Sequence, residues 1–167
     1  MTKHTFHYCA THKDDEAYMQ QMCSRGWAAV RLVEGFWTFE PCEPEQFCYR
    51  ICYLRGKTKR ETESIIQQCA SRDIAFVSRY SFWAIFRSRK SFRLYGDVQE
   101  LELCRKIYAP MPAGAALSWL LCAAGLFLSL RFSLFFLIPT VLLGLYGAMC
   151  TWLALAYHRL LNDLSTR

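Results

Sequence analysis

Arg79, Arg87, Arg89, Lys90 and Arg93 fall in one stretch that contains no acid and is interleaved with Tyr80, Phe82, Trp83, Phe86 and Phe92. Cations spaced among rings suit phosphate-bearing partners: the charges neutralise phosphate oxygens, and the rings stack on bases or settle at a headgroup layer. An apolar segment opens 20 residues after Arg93, which favours anionic lipid over nucleic acid as the partner. Arg87, Arg89, Lys90 and Arg93 are therefore the candidate lipid-headgroup contacts, with a merely solvated basic face as the plainer alternative.

A second group, His4, His7, Cys9 and His12, has the ligand types zinc prefers. Alternation along a strand sends His4 to the face opposite His7 and Cys9, and no distant fourth ligand joins them, so no metal site is assigned. No nucleophile, base and acid set and no glycine-rich phosphate loop occurs, and Asp14, Asp15 and Glu16 fit a helix start better than acid–base work. The chain thus reads as a non-enzyme without a cofactor. Trp27, Phe36, Trp37, Trp83 and Phe86 are candidate ligand-binding rings that could clasp a flat apolar molecule in a groove, although filling a core is the commoner use of such residues. The nine cysteines are odd in number and scattered, with Cys122 and Cys150 inside apolar runs, and read as reduced thiols packed as small hydrophobes.

The elements that must position these residues come as an internal repeat offset by 47 positions, in which Glu16 to Val30 matches Glu63 to Val77. Each copy reads as strand, helix, strand, strand. In the first, Thr5 to Cys9 is a strand, Asp14 to Arg25 a helix stopped by Gly26, and Trp27–Val33 and Phe36–Glu40 a hairpin turning at Glu34-Gly35. In the second, the spans are Phe47 to Leu54, Lys59 to Ser71, Ile74 to Ser78 and Phe82 to Ser88, with Phe36-Trp37 answering Phe82-Trp83 if one turn residue is dropped. The fold class expected over residues 1–96 is α+β, a duplicated βαββ domain with antiparallel sheet and both helices on one face. Asp97 to Tyr108 reads as a connector helix running up to Pro110 and Pro112, so that residues 97–112 link the domain to the apolar C-terminal third.

Between Lys106 and His158 the only charged side chain is Arg131, which divides the run into Ala113–Leu130 and Leu134–Tyr157. A helix of 18 residues spans about 27 Å, close to the roughly 30 Å of a hydrocarbon core. Residues 113–157 therefore read as a two-helix transmembrane hairpin turning at Arg131-Phe132-Ser133, with 158–167 as a tail. The first residues lack an apolar export segment, and Lys90, Arg93, Arg105, Lys106, Arg159 and Arg167 flank the hairpin, which places both termini in the cytoplasm by the positive-inside rule. Small residues four apart, Ser118 and Cys122, Gly125 and Ser129, and Gly144 and Ala148, would let the helices approach closely, and a leftover small face would allow homo-oligomers.

A strand, a helix ending in Met22-Cys23-Ser24-Arg25-Gly26-Trp27, and a hairpin closing on Phe36-Trp37-Thr38-Phe39-Glu40 resemble the bacterial domain-of-unknown-function family 2812 over residues 4 to 90. The second copy has Asp73-Ile74 where that pattern would repeat Gly-Trp. The resemblance implies C-terminal transmembrane helices, no established catalytic residues, and PadR-like transcription regulators encoded nearby. The expected function is a cytosolic binding or regulatory module, anchored in the bacterial inner membrane and acting on such a regulator or on an envelope response. The alternative is a membrane-bound sensor of a lipophilic molecule held by the five rings; for it the duplicated βαββ plan resembles, as fold analogy alone, bacterial effector-binding domains that sense drug-like cations.

Overall fold

The computed structural model describes residues 2–33, 35–131 and 137–165. Its elements run β1 (Lys3–Phe6), α1 (His12–Ser24), β2 (Trp27–Val33), β3 (Phe36–Pro41), β4 (Cys48–Tyr53), α2 (Lys59–Ala70), β5 (Ala75–Tyr80), β6 (Trp83–Ser88), α3 (Asp97–Tyr108), α4 (Pro110–Arg131) and α5 (Leu137–Ser165). They form two compact units, Met1–Leu94 and Tyr95–Arg167.

The first unit is an α+β domain built twice. Its six strands make two antiparallel three-stranded sheets, β1-β3-β2 and β4-β6-β5, as a duplicated βαββ plan requires. The 47-residue offset holds through the helix caps, the turns after the helices and the hairpins. Thr11 and Thr58 cap their helices in reciprocal boxes with Asp14 and Glu61, satisfying backbone N–H groups that a helix start leaves open. Gly26 and Asp73 both adopt positive φ, +81° and +58°, to turn from helix into strand. Each hairpin pairs the residues flanking a two-residue turn, Val33 with Phe36 and Tyr80 with Trp83, and each carries a register shift at the same place, between Ala29 and Arg31 and between Phe76 and Ser78.

Because the extra residue is present in both strands, the offset never changes, and the structure equates Phe36 with Trp83 and Trp37 with Ala84. The equation of Phe36-Trp37 with Phe82-Trp83 is corrected accordingly. Glu34, half of the expected turn, lies outside the described residues. β1 ends at Phe6, not Cys9: Phe6 faces Phe36, the first residue of β3, and beyond that pair a single bond runs from His7 N to Gly35 O at 3.0 Å.

Met19, Met22, Cys23, Ala29, Leu32, Trp37, Phe39, Tyr49, Ile51 and Ile85 form the core, which draws on both copies. The two helices are not equivalent within it. α1 packs on β2 of its own copy and on β4 of the other, burying His12, Asp15, Glu16, Met19, Met22 and Cys23 along one face, whereas α2 packs on β5 and buries only Thr62 and Cys69 among its described residues.

The second unit contains two helices long and apolar enough to cross a membrane. α4 and α5 pair antiparallel through small residues: Cys122 Sγ lies against Thr140 O, a Cβ at Gly144 would meet Cys122 Sγ at 3.3 Å and one at Gly147 would meet Ser118 at the same distance, and one at Gly125 would collide with the Thr140 hydroxyl. The close face on α5 is Thr140, Gly144 and Gly147; Ala148 points outward, so the expected Gly144–Ala148 pair is replaced by Gly144–Gly147. Leu120, Phe127, Ile138, Leu142 and Leu145 are exposed on the outside of the pair. Apolar outside and small inside is the arrangement lipid selects, because hydrocarbon solvates leucine and close backbone packing holds the helices together. Trp119 Nε1 donates to Thr151 Oγ1 at 3.1 Å, and the Tyr108 and His158 rings lie 6.1 Å apart.

α3 clusters with this unit and packs on α5, and Ala109 keeps helical backbone between α3 and α4. The connector is thus part of the helical unit, with Pro110 as the first residue of α4, where a missing N–H costs little. α5 continues past Tyr157 to Ser165, so most of the expected tail is helical. The proposed turn at Phe132-Ser133 lies outside the described residues.

Candidate anion-binding site

β6 ends at Ser88, and the chain then runs beside the turn that leads from α2 into β5. Antiparallel register sets Ala75 opposite Arg87, so the residues before Ala75 come alongside those after Arg87. The result is a concavity of about 840 Å³ whose walls include Arg72 and Asp73 from the α2–β5 turn, Arg87, Arg89, Lys90 and Arg93 from β6 and its continuation, and the apolar Phe47, Ile74 and Phe92. Its five cations face one carboxylate. Such a volume is that of a small-molecule or headgroup site.

Arg87 is anchored by a ring of the domain. Its guanidinium lies 4.6 Å from the centre of the Phe47 ring, a cation–π contact that restrains the fork. Arg87 is half-buried, whereas Arg72, Arg89 and Lys90 are exposed. The Ser88 hydroxyl is buried and accepts from Lys90 N at 3.3 Å, so the chain bends just beyond the strand and Lys90 is held at the rim. The four cations proposed as headgroup contacts are thus brought together. Arg72, Asp73, Phe47, Ile74 and Phe92 share the lining with them, and sequence reasoning did not assign these five as contacts. The signal for Arg72 was the repeat itself, which equates it with Arg25 just after α1.

The five candidate ligand-binding rings do not form one groove. Trp37 and Phe86 are sealed in the interior, Trp37 between Tyr18 and Phe39 with its Nε1 donating to His7 O at 3.2 Å, and Phe86 against Phe76. Phe36 is 61% exposed beside Phe6. Neighbours in a strand point to opposite faces, so Phe36 and Trp37 cannot line one wall. Trp27 is half-buried under Lys3 Nζ, and Trp83 lies between the His12 and Tyr53 rings.

Other titratable groups in this unit serve the architecture. Glu16 is buried and accepts from Ile51 N at 2.8 Å, closing the open edge of β4; Lys13 and Arg50 stand 3.2 and 3.8 Å from its other oxygen. Burial raises its pKa, opposed by Lys13, the Ile51 N–H and Arg50. Asp15 accepts from the Tyr80 hydroxyl at 2.8 Å, tying α1 to β5, and burial raises its pKa as well. Burial and then Asp15 push the Cys9 thiol upward, the opposite of an activated nucleophile. His7 stacks on Tyr18 and His12 on Trp83, and among the described residues no three His, Cys, Asp or Glu side chains could hold a metal ion. All nine cysteines are free thiols.

No curated protein and no solved structure matches the chain. The profile of one family does, over residues 11–109, from the N-cap of α1 through the rest of the first copy and the whole of the second to the C-cap of α3, and its description is a protein of unknown function, DUF2812. The matched span covers more than half of the sequence and contains the whole of the basic concavity: the chain belongs to the DUF2812 family.

Proposed function

We propose that this protein is a membrane-anchored binding module with a regulatory role, whose duplicated domain engages an anionic partner through the basic concavity, anionic lipid headgroups first. The α4–α5 pair is the anchor. Charge flanking the apolar runs supports insertion in the cytoplasmic membrane as a two-span protein with both termini in the cytoplasm. The observation that carries the binding reading is the convergence of Arg72, Arg87, Arg89, Lys90 and Arg93 on one hollow with a single acid, Asp73. Binding is favoured over catalysis because the buried carboxylates Asp15 and Glu16 are committed to joining elements of the domain. The family resemblance adds a PadR-like transcription regulator as the protein partner on which an occupied or empty site would act.

The test is reconstitution of the full chain in phosphatidylcholine nanodiscs with and without phosphatidylglycerol. Anionic lipid should raise the thermal stability of the domain, less so at high salt, and the variant carrying Gln at Arg87, Arg89, Lys90 and Arg93 should lose that response. Indifference of the wild type to lipid charge would remove headgroups as the partner.

A further inference from the structure

The repeat offers an internal control for the concavity. Residues 40–46, the end of β3 and its continuation, correspond by the 47-residue offset to residues 87–93, the end of β6 and its continuation. In the first copy this segment closes on the end of α1: Glu45 N donates to Cys23 O at 3.2 Å, Cys42 N donates to Gly26 O at 2.9 Å, and the Cys42 and Cys23 sulfurs lie 3.9 Å apart. The fit is tight enough that a Cβ on Gly26 would sit 3.3 Å from Cys42 O. In the second copy, among the described residues, no backbone hydrogen bond joins the segment to Ala70 or Asp73, the equivalents of Cys23 and Gly26, and the space stays open as the concavity. The signs are reversed as well: Glu40, Glu43 and Glu45 line the closed segment, and Arg87, Arg89, Lys90 and Arg93 the open one. One backbone plan is filled by its own chain in the first copy and left hollow and cationic in the second.

We infer that the hollow is a binding site for a phosphomonoester bearing an apolar group, a narrowing that rests on the reading of this face as an anion site. Several arginines on one wall suit tetrahedral oxyanions, since each guanidinium presents a planar fork to two oxygens. A phosphomonoester carries about −1.5 to −2 charge at neutral pH, and so answers the excess of cations better than a monoanionic diester or sulfonate. The volume of about 840 Å³ exceeds what a phosphate group alone would fill, and Phe47, Ile74 and Phe92 offer the remainder an apolar wall. The phosphate meets Arg87, Arg89 and Arg72, and the apolar group lies toward the rings. The same chemistry is presented by a phosphatidic acid headgroup and by a soluble phosphate ester.

The experiment titrates the full chain, in neutral phosphatidylcholine nanodiscs, with phenyl phosphate, benzenesulfonate and inorganic phosphate by calorimetry, and separately compares nanodiscs containing phosphatidic acid or phosphatidylglycerol. Phenyl phosphate should bind roughly fivefold or more tighter than benzenesulfonate, the worth of one further charge about 4 Å away when screened as fully as in bulk water, with weaker screening only raising the ratio. It should also exceed inorganic phosphate, which lacks the apolar group. Arg72→Gln and Arg89→Gln, both exposed, should weaken it without unfolding the domain, and Arg87→Lys should weaken it although charge is kept, because the fork is lost. A response to phosphatidic acid above phosphatidylglycerol supports a lipid source, and binding of phenyl phosphate unmatched by any phosphatidic acid response supports a soluble one. Equal affinity for phenyl phosphate and benzenesulfonate overturns the phosphomonoester assignment while sparing the anion site. Failure of every anion to bind overturns both.

Discussion

Glu16 and Glu63 hold the same place in the two helices, yet one is 8% exposed and receives the Ile51 N–H while the other is 58% exposed and stands 4.0 Å from the exposed Lys59. The same division runs through their neighbours. Met19 is buried and Ile66 half-buried, Cys23 is buried and Ala70 exposed, and Leu32 is buried where Arg79 is exposed. Caps, turns and the strand irregularity are local and therefore repeat, since each is decided by a few adjacent residues. Burial is not local: α1 lies against β4, the strand that begins the next copy, whereas the second copy is followed by the helices α3, α4 and α5 and α2 packs on β5 of its own copy. The repeat thus specifies one backbone unit, and position in the chain decides which copy supplies core and which supplies accessible surface.

Removing the two carboxylates tests that division with the largest effect. Glu16→Ala should destabilise the domain by about 1–3 kcal/mol, because the Ile51 N–H loses its acceptor in a buried place. Glu63→Ala should change stability by no more than about 0.5 kcal/mol, as an exposed helix residue would. Chemical denaturation of both variants, monitored by tryptophan fluorescence, measures the difference. Equal costs would mean that α2 is covered as deeply as α1, against the exposure of its outer face.

The turns after the helices sharpen the comparison at a somewhat lower energy. Gly26→Ala should cost about 1–2 kcal/mol, since φ is +81° and the new Cβ would press on Cys42 O. Asp73→Gly should instead gain about 0.5 kcal/mol, because an L side chain at a φ of +58° is mildly strained and the place opens on a hollow. The same substitution removes the single acid among the residues lining the concavity and should strengthen anion binding. A destabilised Asp73→Gly would show that this carboxylate holds the turn by itself.

Much of this could be read in the sequence, for reasons that differ by residue. The pairs Thr11 with Asp14 and Thr58 with Glu61 announce helix starts on their own, and the span of α3 follows from its apolar spacing up to the prolines. The separation of Phe36 from Trp37 was also available, because strand alternation forbids both from one wall. The extra residue at Val30 and Val77 was not, since an irregularity kept in both copies leaves no gap in the alignment, and matching Phe-Trp to Phe-Trp then misled by one position. Arg87, Arg89, Lys90 and Arg93 stood out by composition. Arg72 and Phe47 did not, because they reach the hollow only through the pairing of β5 with β6 and the path of the chain into β4. Which copy would lie open depended on tertiary packing that no local pattern carries.

The smallest effect concerns protons, and it is read at Glu16. Burial raises the Glu16 pKa more than Lys13, the Ile51 N–H and Arg50 together lower it, and these are the groups that face it from α1 and β4. Between the ordinary glutamate value, about 4.3, and the raised one, the folded chain therefore binds more protons at this site than the unfolded chain, so stability falls as pH rises across that window. The contribution is fully present below the lower value and lost as pH passes through the upper one. Glu16→Gln keeps an oxygen for the Ile51 N–H and cannot titrate. Wild type should accordingly gain stability relative to Glu16→Gln on acidification from pH 7 toward 4, while Asp15 titrates in both proteins and largely cancels from the difference. Denaturation midpoints of the pair, measured at several pH values, give the trend directly. A wild type that instead loses ground on acidification would show that the ion pairs with Lys13 and Arg50 outweigh burial, and that α1 is wetter than its place between β2 and β4 implies.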